Sequence, residues 1–395
     1  MDTDPKVLGA RLRDARSAKR LTQQEVADQL GLARTTLVAI EKGERRVQSG
    51  ELVRLASAYG RPVHELLRSS QPSPEFAVQL RAVLEADAVD EQAISGSIGQ
   101  FVKLCEDYVE LERLTGATMP RRYPPMYEIQ SQTPELVAED VAEAERNRLG
   151  LGTAPISGLD RLLESQVGVR IFAIKLPSRV AAMFGYSEEL GGCIAVNADH
   201  PPERQGMSVG HEYAHFLSSR YRPEVVLDSR YDRIPRQERF ADAFARAFLM
   251  PRAGLRRQLL GMLQSRGAER ATPADLCILA SAYGVSVEAV SRRLEELGLI
   301  PPGSWDRLQL KGFRVREAQA ELHLQRPVRG MAGLPERYVV LALDAIQREL
   351  ITEGEFARFL RTDRVGARDI RLRALGGGAA IGDAVDESDA RRSGE

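Results

Sequence analysis

His211 and His215 stand four residues apart in the stretch HEYAHFL, and the chain holds five histidines in all. A helix turns 100° per residue, so positions four apart lie one turn above each other on nearly the same face. Met207, Gly210, His211, Ala214 and His215 share that face, which makes the histidines inward-pointing. Buried imidazoles need polar partners. Whatever the chain folds into must therefore bring hydrogen-bonding or metal-binding groups to this helix from elsewhere.

A source of such groups follows in RQERFADAFARAFLMP, which is flanked by Pro235 and Pro251 and reads as one helix. Phe240, Phe244 and Phe248 form its core stripe, and Arg239 and Arg246 share an outer face. Glu238 and Asp242 stack four residues apart on a third face. A core stripe explains the phenylalanines but not the acidic pair beside them. A zinc site explains that pair. Catalytic zinc takes three protein ligands and keeps a fourth position for water, and two His with one Glu is a standard set. His211, His215 and Glu238 supply it, with manganese as the alternative ion. Asp242 is placed to accept the N–H of a ligating histidine and fix its tautomer. Glu212, turned about 100° from His211, falls beside the metal, where a general base belongs.

The N-terminal part has a different character. VLGARLRDARSAKRL carries a helical stripe, TQQEVADQL opens on the N-cap Thr22 and ends at Gly31, and ARTTLVAIEKGERR forms a third helix closing at Gly43. A fourth and a fifth helix follow in SGELVRLASAYGRPVHELL. Helix, short glycine turn, helix is the pattern of a DNA-reading corner. The first 70 residues hold 13 Lys and Arg against 9 Asp and Glu, a net of +4 in a chain whose net charge is −1.

LTQQEVADQLGLARTTLVAIEKGERR and LVRLASAYGRPVHELL resemble the phage-repressor-like helix-turn-helix family, the XRE or Cro/cI type. The resemblance implies that Gln23 fixes the reading helix or binds DNA backbone. It puts Arg34, Thr35 and Thr36 against DNA, with Arg34 and Thr35 at base edges. Arg suits guanine and Thr suits a thymine methyl. Lys42, Arg45 and Arg46 would meet phosphates, contacts that position without specifying. IAVNADHPPERQGMSVGHEYAHFL and QERFADAFARAFLMP resemble the ImmA/IrrE metallopeptidases, and LCILASAYGVSVEAVSRRLEELGLI matches that family's trailing helices. The second resemblance implies a gluzincin-like protease in which His211, His215 and Glu238 are ligands and Glu212 is the base; some relatives cut helix-turn-helix repressors. Asp242 stands where that family more often has Asn, Gly206 and Met207 replace larger residues, and Tyr213 is bulkier than usual.

The expected fold class is mainly α with an α+β part. It comprises an all-α helix-turn-helix bundle over 1–68, a linker and helical spacer over 69–129, and a gluzincin-like metallopeptidase domain over 130–300. An accessory, mainly helical region over 301–375 and a disordered acidic tail over 376–395 complete it. VGVRIFAIKL and GGCIAVNAD are the strand candidates of a small sheet ahead of the histidine helix. No apolar run approaches eighteen residues, and the N-terminus has no leader pattern, so a cytoplasmic location without membrane contact is expected. Cys105, Cys193 and Cys277 lie in unrelated contexts without CxxC and read as buried thiols. No phosphate-binding glycine motif implies a nucleotide.

Two functions follow. One is a DNA-binding regulator, expected as a homodimer on an operator, whose zinc endopeptidase cuts a helix-turn-helix repressor, itself or a partner. The other is a regulator whose metal domain only senses or dimerises. A sensor needs ligands but no base, so the presence of Glu212 favours the enzyme.

Overall fold

The computed structural model describes residues 5–19, 21–59, 63, 66, 91–129, 133–221, 225–227, 236–324 and 333–375. The chain divides into two compact units, residues 1–71 and 72–395. The linker sequence at 68–76 and the tail at 376–395 lie outside the described residues, as does most of the expected fifth helix.

The first unit contains α1 (Pro5–Ala18), α2 (Gln23–Leu30), α3 (Arg34–Glu41) and α4 (Ser49–Tyr59). Leu12, Val26, Leu37, Ile40, Leu55 and Tyr59 meet in its core. Thr22 caps α2 through a reciprocal box with Glu25, and Gly31 ends it at φ 65°, a conformation that favours glycine. Leu32 N–H donates to Ala27 O across this corner, and α3 begins two residues later.

The second unit is built on a four-stranded sheet of order β1-β3-β2-β4: β1 (Arg170–Ile174), β2 (Val180–Ser187), β3 (Gly191–Asn197) and β4 (Val225–Leu227). β1 runs parallel to β3, and β2 is antiparallel to both β3 and β4. Residues of β1, β2 and β3 are buried almost without interruption, as in sheets covered on both faces.

Alternation along the strands sends side chains to two separate cores. Ile171, Ala173, Phe184, Ile194 and Val196 face α6 (Pro134–Arg148), α7 (Leu159–Gln166), α8 (Pro202–Ser219) and α9 (Arg236–Leu249). Helices α10 (Arg252–Ser265), α11 (Pro273–Tyr283), α12 (Val287–Glu296), α13 (Ser304–Leu310) and α14 (Val315–Glu321) extend this first core. Phe172, Ile174, Met183, Cys193 and Ala195 face the other way, onto α5 (Glu91–Thr115), α15 (Glu336–Gln347), α16 (Glu353–Phe359) and α17 (Arg364–Leu375).

One expectation is corrected by this second core and another is refined. The helical part of 69–129 is not a spacer: Phe101, Leu104, Cys105, Tyr108 and Leu111 of α5 are buried on the sheet. The region 301–375 is helical as expected, but it divides between the cores, Trp305 belonging to the first and Tyr338, Ala342 and Phe359 to the second. The reason is common to both. A sheet buried on two faces needs two helical covers, and here the second cover is assembled from segments more than 200 residues apart. The ion pair Arg337–Glu112, at 2.7 Å, joins those segments directly.

β2 is a strand not expected from the sequence. VAAMFGYS is poor in β-branched residues, and its place between β3 and β4 determines its conformation. All three cysteines are buried and free. Among the described residues, no single helix is long and apolar enough to cross a membrane.

Candidate metal centre

α8 reaches the first core through an anchored entry. Asn197, at the end of β3, donates to Leu176 O and Val180 O, and Gln205 in the first turns of α8 donates to Asn197 O at 3.1 Å. Strand and helix are thereby tied before the histidines are reached. α9 is held by Phe240, Phe244 and Phe248, all fully buried, the last two stacked at 5.2 Å between ring centroids. Gly210 lets the two helices close: a Cβ there would stand 3.3 Å from Ala245 Cβ. That close approach brings the acidic face of α9 to the histidines of α8.

His211 Nε2 lies 3.1 Å from His215 Nε2 and 3.2 Å from Glu238 Oε2, and His215 Nε2 lies 3.3 Å from Glu238 Oε1. Ligand atoms each about 2.0–2.1 Å from one tetrahedral zinc are separated by about 3.3 Å. The donor set and these spacings, each histidine facing a different oxygen of Glu238, fit a zinc ion. Among the described residues this is the one such group of His, Cys, Asp and Glu side chains.

His211 Nδ1 is 2.9 Å from Asp242 Oδ1, which leaves Nε2 directed to His215 and Glu238. The His215 side chain is fully buried, that of His211 11% exposed, Glu238 24% and Asp242 48%. The α8 donors are thus the more enclosed and the α9 carboxylates the more exposed. Glu212 is completely buried beside the pair.

The charges agree with a cation site. Burial disfavours a charge on His211, but hydrogen bonds to Asp242 and Glu238 outweigh it and push the pKa up to about 10. Burial likewise opposes ionisation of Glu238, yet its bonds to His211 and His215 hold it far below the usual carboxylate range. Three carboxylates and two imidazoles so arranged hold positive charge between them, as a proton or as a metal.

Sequence reasoning missed the support behind α8. Tyr213, between the two histidines, turns its O–H to the fully buried Glu145 of α6, donating to Oε2 at 2.7 Å. Arg148 donates to the same oxygen at 2.7 Å and to Tyr213 at 3.1 Å. The bulky residue inside the motif is therefore a strut from the histidine helix to α6. A tyrosine on the apolar back face was the available signal, because a buried hydroxyl needs a partner.

In the first unit, Arg34 and Thr35 are exposed on the first turn of α3, Thr36 is half-buried, and Lys42 and Arg46 are exposed just beyond its end. Gln23 Nε2 donates to Glu41 Oε2 at 2.8 Å, linking the start of α2 to the end of α3. Arg16 holds the same buried carboxylate at 2.6 Å. Arg45 is engaged within the fold, donating to both carboxylate oxygens of Glu51 at 3.0 and 3.1 Å.

A second corner of the same construction lies in the second unit. Thr272 and Asp275 form a capping box, α11 ends at Gly284 with φ 63°, and α12 begins after Ser286. On α12, Arg292 is paired with Asp306 at 2.7 Å and Glu295 accepts from Trp305 N, so α13 is pinned across it. This corner is part of the first core's packing.

Comparison with known proteins separates the two units in the same way. A family model described as helix-turn-helix domain matches residues 7–69, and one described as IrrE N-terminal-like domain matches residues 164–295. The chain joins an XRE-type helix-turn-helix to an IrrE-type domain. A similar curated protein is the cryptic phage CTXphi transcriptional repressor RstR of Vibrio cholerae, 27% identical over 90 residues, which are 22% of this chain and 81% of the repressor. Among solved structures, ComR of Streptococcus suis is 12% identical, covering 100% of this chain and 97% of that one, with a TM-score of 0.16. Bacillus thuringiensis PlcR, in complex with the peptide PapR7 and DNA, is 11% identical and covers 98% of each chain with a TM-score of 0.17.

Proposed function

We propose that the protein is a DNA-binding transcriptional regulator whose IrrE-type domain is a zinc-dependent endopeptidase. The observation that carries the reading is the convergence of His211, His215 and Glu238, whose ring nitrogens lie 3.1 Å apart and 3.2–3.3 Å from the two Glu238 oxygens, with the buried carboxylate of Glu212 on the same helix turn. When bound there, zinc lowers the pKa of a water to about 7 and polarises a substrate carbonyl.

The chain's own groups supply the rest. Glu212 would act as the general base and acid, taking a proton from the attacking water and returning it to the leaving amine nitrogen, the role of a carboxylate in peptide hydrolysis. Asp242 keeps His211 in the tautomer that presents Nε2. Tyr213 and Glu145 hold the helix rotation that aims both histidines. The substrate would approach from the more exposed α9 side, and a helix-turn-helix repressor, this chain or a partner, is the proposed class. DNA binding falls to α2 and α3, with Arg34, Thr35 and Thr36 toward the groove and Lys42 and Arg46 toward phosphates, on a homodimer in the cytoplasm.

The test compares the zinc-loaded full chain with Glu212→Gln, measuring bound zinc and the cleavage of the chain and of candidate repressors on a gel. Wild-type cleavage that disappears in a variant with unchanged zinc content supports the reading. Zinc in both with cleavage in neither sinks it.

A further inference from the structure

We infer that the exposed face of α10 is a second contact surface for the phosphate backbone of duplex DNA, supplementing the helix-turn-helix. The inference rests on the proposed DNA binding of the first unit. The helix carries Arg252, Arg256 and Arg257 and no Asp or Glu, while Arg266 just past its end is paired with Asp275 at 2.6 Å. The chain beyond residue 70 carries 42 Lys and Arg against 47 Asp and Glu, a net of −5, so this helix is a positive island on a negative body.

The basic residues lie on one side. Gly254, Leu255 and Leu259 are buried, whereas Arg252, Arg256 and Leu260 recur every four residues and, with Arg257, are exposed. Among the described residues none of these three arginines makes an ion pair; Arg257 donates to Thr153 Oγ1 at 2.8 Å, a neutral acceptor. Some other arginines at the unit's surface are paired with acids, as Arg239 is with Glu135, Arg292 with Asp306 and Arg368 with Glu353.

Local stability does not account for the arrangement. The first turn of α10 has no acidic residue, and Arg252 stands at the positive end of the helix dipole, which favours anions there instead. Three exposed cations without an acidic partner, one of them against the dipole, point to an anion from outside. Duplex DNA fits best, because a chain already held on DNA by its first unit presents its other surfaces to phosphates at high effective concentration. Such contacts would add affinity without adding sequence preference.

The experiment uses the full chain and a mixed-sequence 40-base-pair duplex, with binding followed by fluorescence anisotropy across a salt series. The variant is Arg252→Gln/Arg256→Gln/Arg257→Gln. A charge-matched control, Arg292→Gln/Arg314→Gln/Arg368→Gln, removes arginines that already have acidic partners. Each phosphate contact contributes about 0.9 to the slope of log K against log salt. The triple variant should lower that slope by about 2–3 while the control leaves it nearly unchanged, with equal thermal unfolding by circular dichroism in all three. A triple variant with the wild-type slope, or a control that loses as much, overturns the inference and leaves the DNA reading of the first unit intact. A wild type that binds no duplex overturns both. Loss confined to vesicles of anionic lipid or to an acidic peptide assigns the face to another partner and likewise overturns it.

Discussion

Asp242 Oδ1 sits 2.9 Å from His211 Nδ1, one helix turn beyond the carboxylate of Glu238 that meets Nε2 of the same ring. One imidazole is thus gripped at both nitrogens by a single face of α9. Such an outer partner fixes ring orientation, and its loss typically costs about 10–100-fold in metal affinity. Asp242→Ala should weaken zinc binding by that factor, and Asp242→Asn by much less, because an amide oxygen still accepts the Nδ1–H. Chelator competition measures both, and equal effects of the two substitutions would contradict an orienting role.

Zinc should also stabilise the fold. A ligand present at 100 times its dissociation constant adds about 2.7 kcal/mol to the folded state. Thermal unfolding of the second unit should therefore shift upward with zinc and return with chelator. Glu238→Ala should abolish the shift, and Glu212→Gln should retain it. A shift that survives loss of Glu238 would place the ion elsewhere.

Glu164 gives the molecule a pH dependence away from the metal. It accepts from Tyr108 O–H at 2.8 Å, and burial pushes its pKa up to about 7, partly offset by that bond and by Arg337; Asp160 raises it further and Arg170 lowers it. The folded value lies above the unfolded value of 4.5, so the folded state holds the extra proton. Its contribution to stability is complete below the unfolded value and is lost as pH rises toward about 7, at roughly 1.4 kcal/mol per pH unit. Glu164→Gln should flatten this part of the stability curve between those values, as read from denaturant titrations. An unchanged curve would mean that Glu164 titrates normally.

Arg34 and Arg45 should separate recognition from stability. Arg34 is exposed on the leading turn of α3, so Arg34→Ala should cost about 1–3 kcal/mol of binding to a selected operator with little change in unfolding. Arg45 is committed to Glu51, which also accepts from Gln48 N at 3.0 Å. Arg45→Ala should lower the stability of the first unit by about 1 kcal/mol, a modest figure because the arginine is partly exposed. Operator titrations and denaturation midpoints check the pair.

Much of the site was legible because its signals are short-range. The four-residue spacings of His211 with His215 and of Glu238 with Asp242, the N-cap Thr22 and the left-handed Gly31 each act within a turn or two of helix. Any reader of the chain meets them together. These local patterns by themselves determined which helices form and which side chains share a face.

Tertiary structure alone decided what those faces meet. That β2 is a strand, that α5 covers the second face of the sheet with α15 to α17, and that Tyr213 reaches Glu145 are outcomes of packing between segments far apart in sequence. The same holds for the pairing of Arg45 with Glu51, which the sequence alone does not show. Burial and pairing depend on where the rest of the chain ends up, and a periodicity carries no record of that.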